Sequence, residues 1–293
     1  MKRDALAIFV VVTAITAAAS SSQGVHRDEA YYMDAGEQYV AYVAGALGGA
    51  VDKPFSKDTI TYYWGYNDEH PPFLKLLYGL SWRLLHKCHC ARTAELHPGP
   101  ARITQETHAT LGLFSETTAF RLPTAAFFGL LCALVYLFFV NALGSRLGGL
   151  TAATLMFLQP RAFFHAQTAS FDLPAATLWF AVMFLYWRAL KRQNWDCAIW
   201  TGLVFGLFLA TKLQSFFLPI ALGAHWLWLA VRRWRQGLPG PTLKPFAAMA
   251  VLGPTVMFAL WPWLWHDTVR RFGAYLGFHW NHVHYNFEYL GPN

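Results

Sequence analysis

Apolar residues in this chain come in long runs separated by short polar segments, rather than in the narrow stripe of a soluble helix or the alternation of a strand. A helical run of about 20 apolar residues matches the hydrocarbon thickness of a bilayer. Seven spans are predicted on this basis, at residues 5–21, 119–143, 148–164, 173–190, 198–211, 216–231 and 245–265. The pattern changes between the first and second of them. Over residues 29–50, Val40, Val43, Ala44 and Leu47 form one stripe, with Tyr31, Tyr32, Tyr39 and Tyr42 placed as rings prefer at a membrane interface. Residues 73–85 read as a second interfacial helix, with Pro72 near its start and Lys75 and Arg83 making it too charged for a span. Residues 88–108 are polar and irregular. The fold class expected is an all-α integral membrane bundle of about seven helices. Its organisation is a first span at 1–22, a long outer loop at 23–118, six spans over 119–265, and the start of a second outer loop at 266–293.

Charge fixes the expected orientation. Lys2, Arg3, Arg146, Arg188, Lys191, Arg192, Arg232, Arg233, Arg235 and Lys244 all fall on one side if the spans alternate, and the positive-inside rule makes that side cytoplasmic. The short loops opposite carry only Arg161 and Lys212. Of the 16 acidic residues, 14 fall on the outer side, 11 of them in the long loop. The N-terminus is therefore expected in the cytoplasm of a multi-pass protein of the bacterial inner membrane. Lys2-Arg3, an apolar run and Ala17-Ala18-Ala19-Ser20 equally describe a cleavable signal peptide, and both readings put the long loop outside.

Composition agrees. Of 293 residues 55% are hydrophobic and only 13% charged, where a soluble domain carries about 25%. The net charge of +7 is accounted for by the inner loops, and no nucleic-acid-binding motif accompanies it. Four cysteines are too few for a disulfide framework. His86-Lys87-Cys88-His89-Cys90 lacks the usual zinc spacing and leaves a metal, a local disulfide or free thiols open, while Cys132 is expected in a helix core.

Ionisable groups at the outer face are the candidate chemistry, because carboxylates at a membrane rim are solvated, paired or used. Asp28 and Glu29 follow the first span, and Asp68, Glu69 and His70 run into Pro71-Pro72. Asp172 opens the fourth span and Lys212 interrupts the apolar sequence between the fifth and sixth. Each has a plainer reading. Asp28 and Asp172 suit helix N-caps, Glu29 favours the positive end of a helix dipole, and Glu69 suits a loop ion pair. Lys212 suits a snorkelling interfacial lysine and Arg121 an interfacial anchor. The tail His279-Trp280-Asn281-His282-Val283-His284 is aromatic and rich in histidine.

The order of these groups relative to the spans resembles the GT-C membrane glycosyltransferases, above all the protein O-mannosyltransferases of glycosyltransferase family 39 and the lipid A aminoarabinose transferases. The residues that carry the resemblance are Arg27-Asp28-Glu29-Ala30-Tyr31, Glu69-His70-Pro71-Pro72-Phe73, Arg121-Leu122-Pro123, Ser170-Phe171-Asp172-Leu173-Pro174 and Thr211-Lys212. No one of these motifs is specific; their order is. The resemblance implies transfer of a sugar from a polyprenyl-phosphate carrier to an acceptor hydroxyl of a protein, lipid or glycan at the outer face, with inversion. It implies Asp28 as general base, with Glu29 and Asp172 beside it as catalytic candidates. Cations suited to the carrier phosphate are Lys212, Arg121, Arg270 and Arg271. Glu69, His70, His282 and His284 are expected in the substrate pocket, where Glu69 and His282 are also candidates for a divalent metal. Family members run on through further spans, so a C-terminal truncation is expected. Two rival readings remain: a transporter or flippase of a lipid-linked or anionic solute, and a non-catalytic assembly subunit. Charges gathered at one face, with no internal repeat, separate this pattern from transporters with midplane sites.

Overall fold

A computed structural model describes residues 1–87 and 111–281. Among these residues there are twelve α-helices and two short 3-10 segments. Four helices are long and apolar enough to cross a membrane: α1 (Lys2–Ser20), α5 (Glu116–Leu143), α8 (Asp172–Arg192), and Leu213–Arg235, a 3-10 turn continuing into α10 (Leu218–Arg235). Two further helices, α9 (Trp195–Leu209) and α11 (Lys244–Leu260), are apolar but shorter. The all-α membrane class expected from the sequence therefore holds.

One expected span, 148–164, is broken in two. α6 (Arg146–Phe157) stops before Gln159, and Pro160 opens the six-residue α7 (Pro160–His165). The residue before a proline is pushed out of helical geometry, whereas proline at a first helical position forgoes only an amide that would go unbonded. The last expected span, 245–265, ends as a helix at Leu260 and finishes in a 3-10 turn, Pro262–Trp265.

The long first loop is helical, with α2 (Arg27–Leu47), α3 (Lys57–Trp64) and α4 (Phe73–Leu85). α2 and α4 match the two expected interfacial helices; α3 and the later α12 (Thr268–Trp280) go beyond the sequence expectation. Tyr39 and Tyr42, expected at an interface, are instead buried among Val51, Ile60, Tyr63 and Trp64. Tyr39 stacks on Trp64 with ring centroids 4.4 Å apart.

α2 crosses α4 at backbone contact. A Cβ on Gly79 would stand 2.2 Å from the Gly36 carbonyl oxygen, and one on Gly36 2.7 Å from the Lys75 carbonyl oxygen. Only hydrogen fits between the two chains. Close approach of this kind leaves no hydrophobic signature, since it depends on a missing side chain.

Ionic contacts identify the two ends of the bundle. Arg121 near the start of α5 reaches the Ser20 carbonyl at the end of α1, while Asp4 near the start of α1 pairs with Arg146 beyond the end of α5. Lys244 bonds the Gln193 carbonyl just past α8. The starts of α5 and α8 thus lie at one end, and Asp4, Arg146, Arg192 and Lys244 at the other.

Gly79→Val should force α2 and α4 apart. We expect it to destabilise the fold by about 1–3 kcal/mol, the usual range for an overpacked contact, seen as a lower thermal unfolding midpoint in detergent. Gly49→Val, at a glycine with open space around its Cβ but a φ of +71°, provides a comparison in which only backbone strain acts.

Candidate active site

Glu29 and Arg121 form a fully buried ion pair, each side chain only 1% exposed. The Glu29 carboxylate accepts Arg121 Nε at 2.6 Å and Nη2 at 2.7 Å, the fork-to-fork geometry that only arginine supplies. Its oxygens also accept the backbone amides of Ala169 (2.6 Å) and His26 (3.2 Å). Arg121 uses its remaining donors on the carbonyls of Ser20 (2.8 Å), Gln23 (2.9 Å) and Gly24 (2.7 Å). One charge pair therefore joins the end of α1, the start of α2, α5 and the segment before α8. Five guanidinium donors meet five bonds, so Arg121, expected as a phosphate ligand, has none left for a phosphate. Glu29 is equally committed to this pair.

Asp28 faces the other way. Successive helical residues turn by about 100°, and with Glu29 directed inward its neighbour is exposed to a cavity of about 1030 Å³. It is not the N-cap of α2, a position held by His26. Among the described residues Asp28 has no hydrogen-bond or ion-pair partner.

The same cavity is lined by Glu69, His70, Asp172 and Lys212, so groups 144 or more positions from Asp28 in two cases meet it in space. Asp172 is not a cap either. Phe171 holds that position, and the Asp172 carboxylate, 53% exposed, takes Lys212 Nζ at 2.5 Å, with His165 Nδ1 3.8 Å away. Lys212 is therefore held by a carboxylate rather than stretched to an interface, and one of its three donors is used. Tyr32 and Phe171 stack with centroids 4.1 Å apart, and His70 meets the Phe171 ring edge-on at 5.3 Å. Burial, with the charges of Asp28, Asp172 and Glu69 acting in the same sense, pushes the Tyr32 hydroxyl well above its ordinary pKa. His279 closes one side through a bond between Nε2 and the Glu69 carbonyl at 3.1 Å.

The two expected phosphate ligands on α12 lie elsewhere. Arg270 is 73% exposed and pairs with Asp267, which also binds Lys57. Arg271 is buried over the Trp263 ring at 3.7 Å, donating to the Trp263 carbonyl and the Thr61 hydroxyl. Burial pulls its pKa down from the ordinary value. Neither lines the cavity. His282, His284, Cys88 and Cys90 lie outside the described residues, and among the described residues no group of three or more potential ligands could hold a metal ion.

The residue that sequence reasoning passes over is Lys75. It is fully buried on α4, with Nζ surrounded by the carbonyls of Asn67 (2.5 Å) and His70 (2.8 Å), the Asn67 side-chain oxygen (3.1 Å) and the Tyr39 hydroxyl (3.2 Å). Burial pulls its ammonium down to about 7, against the opposing pull of Glu69 and Asp68. A lysine within Phe73-Leu74-Lys75-Leu76-Leu77 was the available signal, because an ionisable group inside an apolar run is retained for a partner.

The cavity gathers Asp28, Glu69, Asp172 and Lys212 in a chain with four helices of membrane-spanning length, and its match to a mannosyltransferase family model sets the class: this is a membrane glycosyltransferase of the GT-C type. The chain belongs to the dolichyl-phosphate-mannose-protein mannosyltransferase family, whose model matches residues 104–263. The match takes in Asp172 and Lys212 but begins after Asp28 and Glu69, so the cavity joins the matched region to the helices that precede it. No curated protein and no solved structure matches the chain.

Breaking the buried pair should be costly. Arg121→Met strands the Glu29 carboxylate and Glu29→Gln strands the guanidinium, each at about 3–5 kcal/mol. Thermal unfolding in detergent should show both losses, and the double variant Glu29→Met/Arg121→Met should lose less than the sum of the single changes.

Proposed function

We propose that this protein transfers a glycosyl group from a polyprenyl-phosphate carrier to an acceptor hydroxyl at the outer membrane face, with inversion. The observation that carries the reading is the division of labour among the cavity carboxylates. Glu29 is neutralised by Arg121, Asp172 by Lys212, and Asp28 is exposed to the cavity with no ion-pair partner among the described residues.

An acceptor hydroxyl is a poor nucleophile until its proton is removed, and a positioned carboxylate contributes about 10²–10⁴-fold by removing it. In the proposed step Asp28 accepts the hydroxyl proton while the acceptor oxygen bonds to the anomeric carbon. The bond from that carbon to the phosphate oxygen breaks, and its electron pair leaves with the carrier phosphate. A single base opposite a single leaving group gives one displacement and hence inversion. The leaving phosphate needs positive charge more than a proton donor, and Lys212, on the cavity wall, is placed to provide it. Lys212 has donors beyond the one given to Asp172. The basic residues gathered at the opposite end of the bundle support an outer position for the cavity, because such residues favour the cytoplasmic side.

Asp28→Asn is expected to reduce transfer from radiolabelled polyprenyl-phosphate mannose by at least about 10²-fold while leaving the unfolding midpoint unchanged, since no partner is lost. Retained transfer overturns the assignment of the base. Lys212→Gln should lower kcat by about 10²–10³-fold, the scale seen when one preorganised donor to developing charge is removed. Comparing glycans on acceptor material from cells with and without the gene identifies the sugar and the acceptor.

A further inference from the structure

We infer that Lys75 and Asn67 are positioning residues for the Glu69 carboxylate, which they hold in the cavity to accept hydrogen bonds from hydroxyls of the donor's glycosyl group. The glycosyl part of this inference rests on the reading of the cavity given above. The relay itself is a matter of donors and acceptors. An ammonium can only donate, so the Asn67 side-chain atom 3.1 Å from Lys75 Nζ is the oxygen. The amide nitrogen must then point the opposite way, and it meets Glu69 Oε1 at 2.7 Å. Tyr39 donates its hydroxyl proton to the Tyr66 carbonyl at 2.9 Å and so presents a lone pair to Lys75.

Backbone geometry adds to the constraint. Asn67 has a φ of +54°, the left-handed region that asparagine and aspartate tolerate better than most residues. Lys75 also binds the Asn67 and His70 carbonyls, so the whole turn carrying Glu69 is tied to a side chain buried in α4. The outcome is a carboxylate with one oxygen fixed by an amide and the other without a hydrogen-bond partner among the described residues, in a cavity that Tyr32 and Phe171 also line. A pair of vicinal hydroxyls above an apolar sugar face suits such a corner, with rings below and an acceptor at the side.

Lys75→Met would test the relay, but taking the donor from four acceptors around a buried site risks the fold. Asn67→Asp is the sharper variant. It keeps an oxygen for Lys75 and a residue suited to the turn, yet replaces the donor facing Glu69 with a second carboxylate oxygen. We expect the KM for polyprenyl-phosphate mannose to rise about tenfold with kcat little changed, the signature of lost ground-state binding. In a Glu69→Gln background the same substitution should change KM by less than about twofold, because the amide that Glu69→Gln introduces can donate to the new carboxylate. Unfolding midpoints should follow the same coupling: lowered by Asn67→Asp when Glu69 is intact, unaffected in the Glu69→Gln background. Equal effects of Asn67→Asp in both backgrounds, on KM and on midpoint, overturn the relay. If the unaltered protein transfers no sugar, the functional reading fails; the midpoints alone then decide the relay, coupled values supporting it and additive values refuting it.

Discussion

The buried pair of Glu29 and Arg121 is the constraint from which the rest of the site follows. Moving two charges out of water is expensive, and the Coulombic attraction between them offsets that cost only if geometry is good and every remaining donor and acceptor is met. Here all are met, by three carbonyls and two amides from two separate stretches of chain, residues 20–26 and Ala169. The pair can therefore exist only when the end of α1, the start of α2, α5 and the segment before α8 are all in place. It acts as a check on assembly as much as a source of stability. It also sets the direction of Asp28, since a helix that turns one residue inward must turn its neighbour aside.

Charge in the cavity is arranged by difference. Each of the acidic residues carries the same nominal charge, but one is cancelled by a buried guanidinium, one is tied to Lys212, one is fixed by an asparagine amide and one has no ion-pair partner among the described residues. Carboxylates become distinct in chemistry through their partners. The same logic explains why positive charge is spread unevenly among the four expected phosphate ligands. Arg121 and Arg271 are used up in the architecture, Arg270 sits outside the cavity in a surface pair, and of the four Lys212 alone faces it.

The cavity is built from two parts of the chain, one inside the family match and one before it. The matched region begins beyond α4 and supplies Asp172 and Lys212, while α2 and the turn before α4 supply Asp28 and Glu69. Contact between α2 and α4 at Gly36 and Gly79, and of α4 with the turn through Lys75, joins the second set into a rigid unit facing the first.

Much of the fold is carried by composition and period alone. Runs of apolar residues longer than a soluble helix needs determined an all-α membrane protein, and the stripe on 29–50 and the Pro-led run at 73–85 determined two helices of the long first loop. The helix break at Gln159-Pro160 was missed in a run read as one span, although proline acts locally. The grouping of Asp28, Glu69, Asp172 and Lys212 was suggested by their common side of the membrane. Which of them is paired, and with what, was not. Whether a carboxylate is bare or paired depends on residues such as Arg121, 92 positions from Glu29, and no local rule encodes that distance. The burial of Lys75 and the closeness of Gly36 to Gly79 are likewise decided by which faces of α2 and α4 meet. Local geometry and the preference for water or lipid act over a few residues and are written in the chain; partners for charge are chosen only when the helices pack.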